Sequence, residues 1–267
     1  AIAGILVAAI GEGWCFFANA VSYIAVITGL LLMNVEEHER GVTGESPLES
    51  VVEGFRFVIR NLPIRAILML LGVVSLTGMP YTVLMPIFAD RILHGGPRAL
   101  GWLMGCAGVG ALAAALRLAS RTELKGLNRW LPAASFAFGV TLIGFAWSRV
   151  FWLSACILVL VGFSMMIEMA SSNTLIQSMV PDELRGRVMS VYSMVFMGLA
   201  PFGALLAGVV AGRIGAPWTV TASGIVCMTA AFVYRTQLAR IRGPARQLIA
   251  AQRAVNADPV EETRLGG

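Results

Sequence analysis

The chain has 267 residues, of which 57% are hydrophobic and only 13% are charged. Soluble domains carry about 25% charged residues, so this composition, combined with several apolar runs of about 20 residues, indicates an integral membrane protein. The net charge of +5 does not indicate nucleic-acid binding, because the basic residues of membrane proteins collect in cytoplasmic loops.

Cysteine and histidine are too scattered to suggest a metal or redox site. No two cysteines have CxxC spacing, and no His, Cys and Asp residues cluster as zinc ligands do. The sequence therefore predicts no metal and no cofactor, and the cysteines are interpreted as small core hydrophobes. The four cysteines are Cys15, Cys106, Cys156 and Cys227.

The N-terminal region begins inside an apolar segment. Residues 1–10 are apolar but too short to cross a bilayer, so they are interpreted as the end of a helix whose beginning is missing. Residues 14–33 form the first complete predicted span. Asn19 and Tyr23 place polar atoms within it. Such residues serve either helix packing or a polar pathway.

Residues 34–63 form a polar connection that ends in an amphipathic helix. Ser46, Pro47 and Glu49 have the spacing of a capping box with proline at the first helical position. Apolar residues then recur at helical spacing, with charged residues on the other face. This pattern predicts a helix lying on the membrane surface, with docking to a soluble partner as the alternative.

Six further spans follow. Pro80 and Pro86 interrupt the first of them, and each should bend it because proline lacks an N–H and clashes with the preceding turn. Such bends serve either packing or gating. The tail, residues 236–267, is polar and is predicted to be disordered. The six spans are predicted at 64–89, 99–118, 130–147, 150–172, 188–212 and 216–235.

The distribution of basic residues predicts the orientation. The loops on one side, together with the tail, carry 16 of the 20 Lys and Arg residues. The positive-inside rule therefore places this side, and the C-terminus, in the cytoplasm.

A charged turn, residues 177–192, separates two of the spans on that side. Asp182 and Glu183 follow Pro181, where a helix N-terminus favours anions, and Arg185 and Arg187 come one turn later. The residues alone leave two interpretations open. The turn is either a solvated connection or a cytoplasmic latch.

Three segments carry a resemblance to a known family. NTLIQSMVPDELRGRVMSVYSMVFMGLAPFGALLAG resembles the loop between helices ten and eleven of major facilitator superfamily transporters, in the branch that includes the enterobactin exporter and macrolide efflux proteins. GEGWCFFANAVSYIAVI is similar to helix six of that branch, and MPIFADRILHGGPRALGWLMGCAGVGALAAAL resembles its helices seven and eight. A match between the two chain ends at an offset of 204 residues suggests a parallel repeat, as in the two halves of these transporters.

The resemblance implies an all-α membrane bundle truncated at its N-terminus. Residues 1–33 would be the end of the N-terminal half, comprising a remnant of helix five and all of helix six. Residues 34–63 would be the cytoplasmic central loop, and residues 64–235 the C-terminal six-helix half. Helices one to four would be absent from this chain, so a partner half or the missing helices would be needed.

The resemblance also implies that spans 64–89 and 150–172 face a central cavity. Glu168 stands out there, because a carboxylate inside a bilayer is costly and usually functional. Two interpretations remain: proton coupling or substrate-cation contact, and an interfacial Glu paired with a loop arginine. Asn19, Tyr23, Tyr81 and Asn173 are weaker pathway candidates. By the same resemblance, Asp182, Glu183, Arg185 and Arg187 would form the cytoplasmic latch.

Taken together, the sequence predicts part of a proton-coupled exporter of a drug-like or siderophore-like molecule. It would lie in the bacterial plasma membrane, with lipid, protons and a small-molecule substrate as partners. A non-transporting or regulatory fragment is the alternative. A membrane-embedded enzyme is disfavoured, because the sequence offers no nucleophile–base pair and no metal cluster.

Overall fold

The computed structural model describes residues 12–33, 47–120 and 127–257. The chain divides into two compact units, Ala1–Ser46 and Pro47–Gly267. The described helix of the first unit is α1 (Glu12–Leu31), which corresponds to the first predicted span. The predicted helix remnant 1–10, Ser46 of the capping box and residues 258–267 lie outside the described residues.

The second unit is helical throughout its described residues. Two π-helical turns, Val74–Gly78 and Phe88–Ile92, flank α4. The helices are α2 (Pro47–Arg60), α3 (Leu62–Val73), α4 (Tyr81–Ile87), α5 (Gly96–Ala119), α6 (Leu127–Trp147), α7 (Phe151–Gln177), α8 (Asp182–Ile214) and α9 (Ala216–Ala257).

Six helical segments of the described chain are long and apolar enough to cross a membrane. They match the six spans predicted after residue 63, so the predicted all-α membrane fold is confirmed. In α1 the described apolar part, Phe17–Leu31, is shorter than a full span. The six segments are Leu62–Ile92, Gly96–Ala119, Asn128–Trp147, Phe151–Gln177, Asp182–Ile214 and Ala216–Gln252.

Glycines let two helix pairs approach to backbone contact. On α5, a Cβ at Gly110 would overlap the carbonyl of Val159, and on α7 a Cβ at Gly162 would overlap the carbonyl of Ala107. Gly101 and Gly108 of the same helix face open space, so they take no part in this packing. Helices in lipid gain no hydrophobic driving force for association, so close packing at small residues stabilises such crossings.

The pair formed by α6 and α9 uses the same device. Gly139 and Gly224 face one another, and a Cβ on either would come within 2.6 Å of the other's carbonyl oxygen. At one end of this pair the Trp147 and Trp218 rings meet edge to face, with 5.0 Å between their centroids. Trp147 Nε1 also donates a hydrogen bond of 3.1 Å to Thr221 Oγ1. These contacts fix the two helices in register.

The span from 62 to 92 is not one regular α-helix. Met79 N–H donates to the carbonyl of Val74, and Leu93 N–H to that of Phe88, both i→i+5 bonds of a π turn. Pro80 follows the first π turn and caps α4, while Pro86 lies inside α4, just before the second. The two π turns therefore lie next to the two prolines. The predicted bend or gate at Pro80 and Pro86 stays a prediction.

The predicted disorder of the tail is wrong for residues 236–257. Helix α9 continues to Ala257, well beyond the predicted end of its span at residue 235. Leu238, Ile241 and Ala245 are buried in an apolar cluster with Leu131 and Tyr234. Their spacing of three and four residues gives this polar segment one apolar face, which explains why it stays helical.

Candidate transport site

Glu168 is fully buried in α7. Its side chain is 1% exposed, and Oε1 has no hydrogen-bond partner within the described parts of the chain. At 1.5 Å per residue it lies about 26 Å from the Phe151 end of the helix and about 14 Å from the Gln177 end. A helix of about 40 Å exceeds the ~30 Å apolar core of a bilayer, so a centred α7 places Glu168 inside the core.

Two serines extend this polar region along α7. The side chains of Ser171 and Ser172 are buried, and neither hydroxyl oxygen finds a partner among the described residues. Buried polar atoms normally have hydrogen-bond partners, since each unsatisfied atom costs about 1–3 kcal/mol. Glu168, Ser171 and Ser172 therefore form a polar patch whose unpartnered oxygen atoms are able to bind a proton or form hydrogen bonds.

Tyr192 of α8 joins the patch from the neighbouring helix. Its hydroxyl donates a 3.2 Å hydrogen bond to the carbonyl of Met169 and interacts with the side chain of Asn173. The Asn173 amide oxygen also accepts a hydrogen bond from Gln177. Both Tyr192 and Cys227 lie within electrostatic range of the Glu168 carboxylate. The predicted candidate Asn173 thus lies in a polar group with Tyr192 and Gln177, on the same helix as Glu168.

The interfacial interpretation of Glu168 required a loop arginine as partner. Among the residues that the structure describes, no arginine forms an ion pair with Glu168. Residues 121–126 of the basic loop lie outside the described residues. The burial of Glu168 within α7 agrees better with a polar pathway than with an exposed surface pair.

The other pathway candidates lie elsewhere. Tyr81 is buried in an apolar cluster, edge-on to Phe138 with 6.2 Å between the ring centroids. Asn19 and Tyr23 lie on α1 in the first unit, where both side chains are exposed. The backbone carbonyl of Asn19 accepts a hydrogen bond from the Ser22 hydroxyl. Their roles in a pathway remain predictions.

The charged turn forms the start of α8. Pro181 is the N-cap residue of this helix and directly precedes its first turn. Asp182 and Glu183 occupy the first turn, next to the positive end of the helix dipole. Arg185 pairs with Asp182 on the same helix. Within the described residues Glu183 has no ion-pair partner.

Arg187 connects this turn to α2, a contact that the sequence did not reveal. It forms an ion pair with Glu53, and a Cβ added to Gly54 would lie 2.8 Å from the carbonyl oxygen of Arg187. Val58 of α2 is buried in the same cluster as Val188. The amphipathic helix therefore docks on α8, while Val52 and Ile59 stay exposed on its outer side. We call this contact, made by Glu53, Gly54 and Arg187, the clasp.

Six membrane-length helices, one of which carries a buried carboxylate, are the architecture of a polytopic membrane protein. The sequence model of one such family, described as transmembrane secretion effector, matches residues 1–263. The chain belongs to this family of the major facilitator superfamily. The resemblance inferred from the sequence is therefore confirmed.

Named relatives agree with this assignment. The Staphyloferrin A transporter of Staphylococcus aureus is 27% identical over 238 residues, which make up 88% of this chain and 59% of that protein. The multidrug efflux pump Tap of Mycolicibacterium fortuitum is 27% identical over 219 residues, or 80% of this chain and 53% of the pump. An uncharacterized MFS-type transporter of Bacillus subtilis, YfmI, is 24% identical over 244 residues, or 89% of this chain and 60% of that protein.

The chain thus spans between 53% and 60% of the length of these relatives. The family and the relatives are transporters rather than enzymes. The chain is a multi-pass membrane protein.

Proposed function

We propose that this chain is part of a secondary transporter that exports a drug-like or siderophore-like small molecule across the bacterial plasma membrane. In this proposal the protein works by alternating access, is driven by protons and has its C-terminus in the cytoplasm. Support comes from the family and from relatives named as a siderophore transporter and a drug efflux pump. The basic loops on one side support the orientation.

The buried Glu168 is the observation that carries the coupling proposal. An ionised carboxylate in the bilayer core costs about 2.5–3.5 kcal/mol or more, so a protein keeps one there only where it has a role. The unpartnered Oε1 can take up a proton or accept a hydrogen bond from a cationic substrate. If Glu168 binds a proton as it releases the substrate, and the substrate as it releases the proton, the proton flux and the substrate flux are coupled.

The latch would act at the cytoplasmic ends of the helices. The Asp182–Arg185 pair orders the first turn of α8, and the Glu53–Arg187 pair ties that turn to α2. Partly exposed pairs such as these contribute only about 0–1 kcal/mol each, which suits contacts that must break and re-form in every cycle.

The test measures export by the complete protein in everted membrane vesicles under an imposed pH gradient. We expect Glu168→Gln to abolish gradient-driven accumulation, because the amide cannot carry a proton, and Glu168→Asp to retain part of it. Asp90→Asn removes one exposed carboxylate and serves as the matched control. Gradient-driven accumulation that survives in Glu168→Gln would refute the role of Glu168. Wild-type vesicles that accumulate neither a siderophore nor a cationic dye would refute export itself.

A non-transporting or regulatory role is the second candidate. Expression of residues 1–267 alone, and together with an N-terminal half from a relative, distinguishes the two. Export that needs the added half supports a transporter part. A chain that changes the activity of a complete transporter without exporting anything itself supports the regulatory role.

A further inference from the structure

A basic cavity lies between α6 and α9, away from the polar patch around Glu168. Its volume is about 400 Å³. Arg129 lines it from the start of α6, and Arg235 and Arg242 line it from α9. Leu238 and Ala239 give it an apolar wall. Three guanidinium groups from two helices therefore share one cavity.

No protein group neutralises this charge in the part of the chain that the structure describes. Neither α6 nor α9 contains an Asp or Glu. The three cavity arginines form no ion pair with any described residue. Like charges held close together repel, so this arrangement favours an anion in the cavity. Guanidinium groups bind phosphate through paired N–H donors, which makes a phosphate group the best match.

The depth of the cavity agrees with the position of lipid phosphate. The Trp147–Trp218 contact fixes α6 and α9 in register at one membrane face. Along the helices, Arg129 lies about 27 Å from Trp147, and Arg235 lies about 26 Å from Trp218. The apolar core of a bilayer is about 30 Å thick, so both arginines reach the opposite interface.

Exposed apolar side chains continue from the cavity toward the membrane core. On α6, Ala133, Phe136 and Val140 follow Arg129 at spacings of three and four residues, and all three are exposed. On α9, Phe232 and Val233 are exposed one turn before the cavity. A ligand with a phosphate head and acyl chains would contact the arginines and this apolar surface at once, whereas free phosphate would contact only the arginines.

We propose that this cavity binds the headgroup of an anionic phospholipid. Basic pockets between transmembrane helices are typical sites for such headgroups. With the C-terminus in the cytoplasm, this lipid lies in the cytoplasmic leaflet. That placement rests on the orientation given under Proposed function, whereas binding itself does not. Lipid bound here would join the inner end of α6 to the extended α9.

The test is a lipid titration of the complete, delipidated protein followed by native mass spectrometry. Cardiolipin, phosphatidylglycerol and phosphatidylcholine are the lipid probes, and inorganic phosphate is the non-lipid probe. We expect both anionic lipids to bind more tightly than phosphatidylcholine. We expect millimolar phosphate to displace them only weakly, because phosphate lacks the apolar contact. Displacement of lipid by phosphate at equal concentration would overturn the assignment to lipid.

The variant series removes the cavity charges. Each basic residue near anionic lipid contributes about a fivefold gain in affinity, so Arg129→Gln, Arg235→Gln and Arg242→Gln combined should weaken cardiolipin binding on the order of 100-fold. Single Arg→Lys variants keep the charge, and we expect a loss of less than about fivefold from each. The single variants keep the proposal testable if the triple variant does not fold. Undiminished binding by a folded triple variant, or by all single Arg→Gln variants, would overturn the proposal.

A charge-matched control carries three substitutions at exposed arginines that do not line the cavity. These are Arg56→Gln, Arg117→Gln and Arg240→Gln. We expect this variant to bind cardiolipin within about twofold of the wild type. A loss as large as that of the cavity variant would show that overall charge, and not this cavity, retains the lipid.

Discussion

The clasp between α2 and α8 allows a matched pair of substitutions, Gly54→Ala and Gly186→Ala. Both glycines are helical, and both substitutions favour the helix by about 0.8–1 kcal/mol. At Gly54, however, the new methyl would lie 2.8 Å from the carbonyl oxygen of Arg187, whereas at Gly186 nothing lies within 4 Å. The two variants therefore differ in the docking contact and hardly at all in helix propensity.

The magnitude follows from the contact. A Cβ atom in ordinary contact stands at least 3.4 Å from its neighbour, so α2 must move away from Arg187 by about 0.6 Å. The obstructing atom belongs to the backbone of α8 and cannot rotate aside. Overpacking of this kind costs about 1–3 kcal/mol. We expect Gly54→Ala to be less stable in the docked state than Gly186→Ala by that amount.

Hydrogen exchange of the α2 amides, measured by mass spectrometry on protein in nanodiscs, checks this difference. Amides of α2 should exchange up to about 30-fold faster in Gly54→Ala than in Gly186→Ala, because alanine adds about 1 kcal/mol of helix propensity to α2 and offsets that part of the 1–3 kcal/mol cost. Exchange that is about fivefold slower in Gly54→Ala, the effect of helix propensity alone, would refute the close docking of α2 on α8. Val52→Ser changes an exposed side chain of α2 and is a second control.

Two further predictions concern helix packing. Gly110→Ala should lower the thermal unfolding midpoint, with a cost of about 1–3 kcal/mol, because its methyl would overlap the carbonyl of Val159. Gly108→Ala is the control and should not lower the midpoint, because Gly108 faces open space. Equal midpoints for the two variants would contradict the α5–α7 contact. Ser75→Ala removes a buried hydrogen bond of 2.5 Å to the carbonyl of Phe196 on α8 and should cost about 0.6 kcal/mol, up to ~1.7. A chemical-denaturation comparison with Thr82→Val, whose hydroxyl bonds within its own segment, measures that cost, and an effect no larger than the control's would count against an inter-helix bond.

The spans were predictable because each is a long apolar run, and hydropathy is a property of neighbouring residues. The tail shows what that measure leaves out. Residues 236–257 are polar on average, yet Leu238, Ile241 and Ala245 recur at helical spacing and are buried. Periodicity, and not mean hydropathy, carried the signal that the helix continues.

Contacts between distant residues could not be predicted in the same way. Glu53 and Arg187 are far apart in sequence, and no local pattern indicates that they pair. The cavity of Arg129, Arg235 and Arg242 likewise depends on how α6 crosses α9. Glu168 was recognisable from the sequence because a charge inside an apolar run is unusual by itself, whereas the hydrogen bond from Tyr192 to the carbonyl of Met169 depends on the packing of α7 against α8.

The π turns beside α4 change the direction in which side chains of this span point. Each i→i+5 turn holds one residue more than an α turn, and one residue corresponds to about 100° of rotation. A helical wheel drawn from Ile64 at α spacing therefore misplaces Tyr81 and the rest of α4 by about 100°. The direction of Tyr81, whose ring lies against Phe138 in the apolar interior, therefore cannot be read from a continuous wheel of this span.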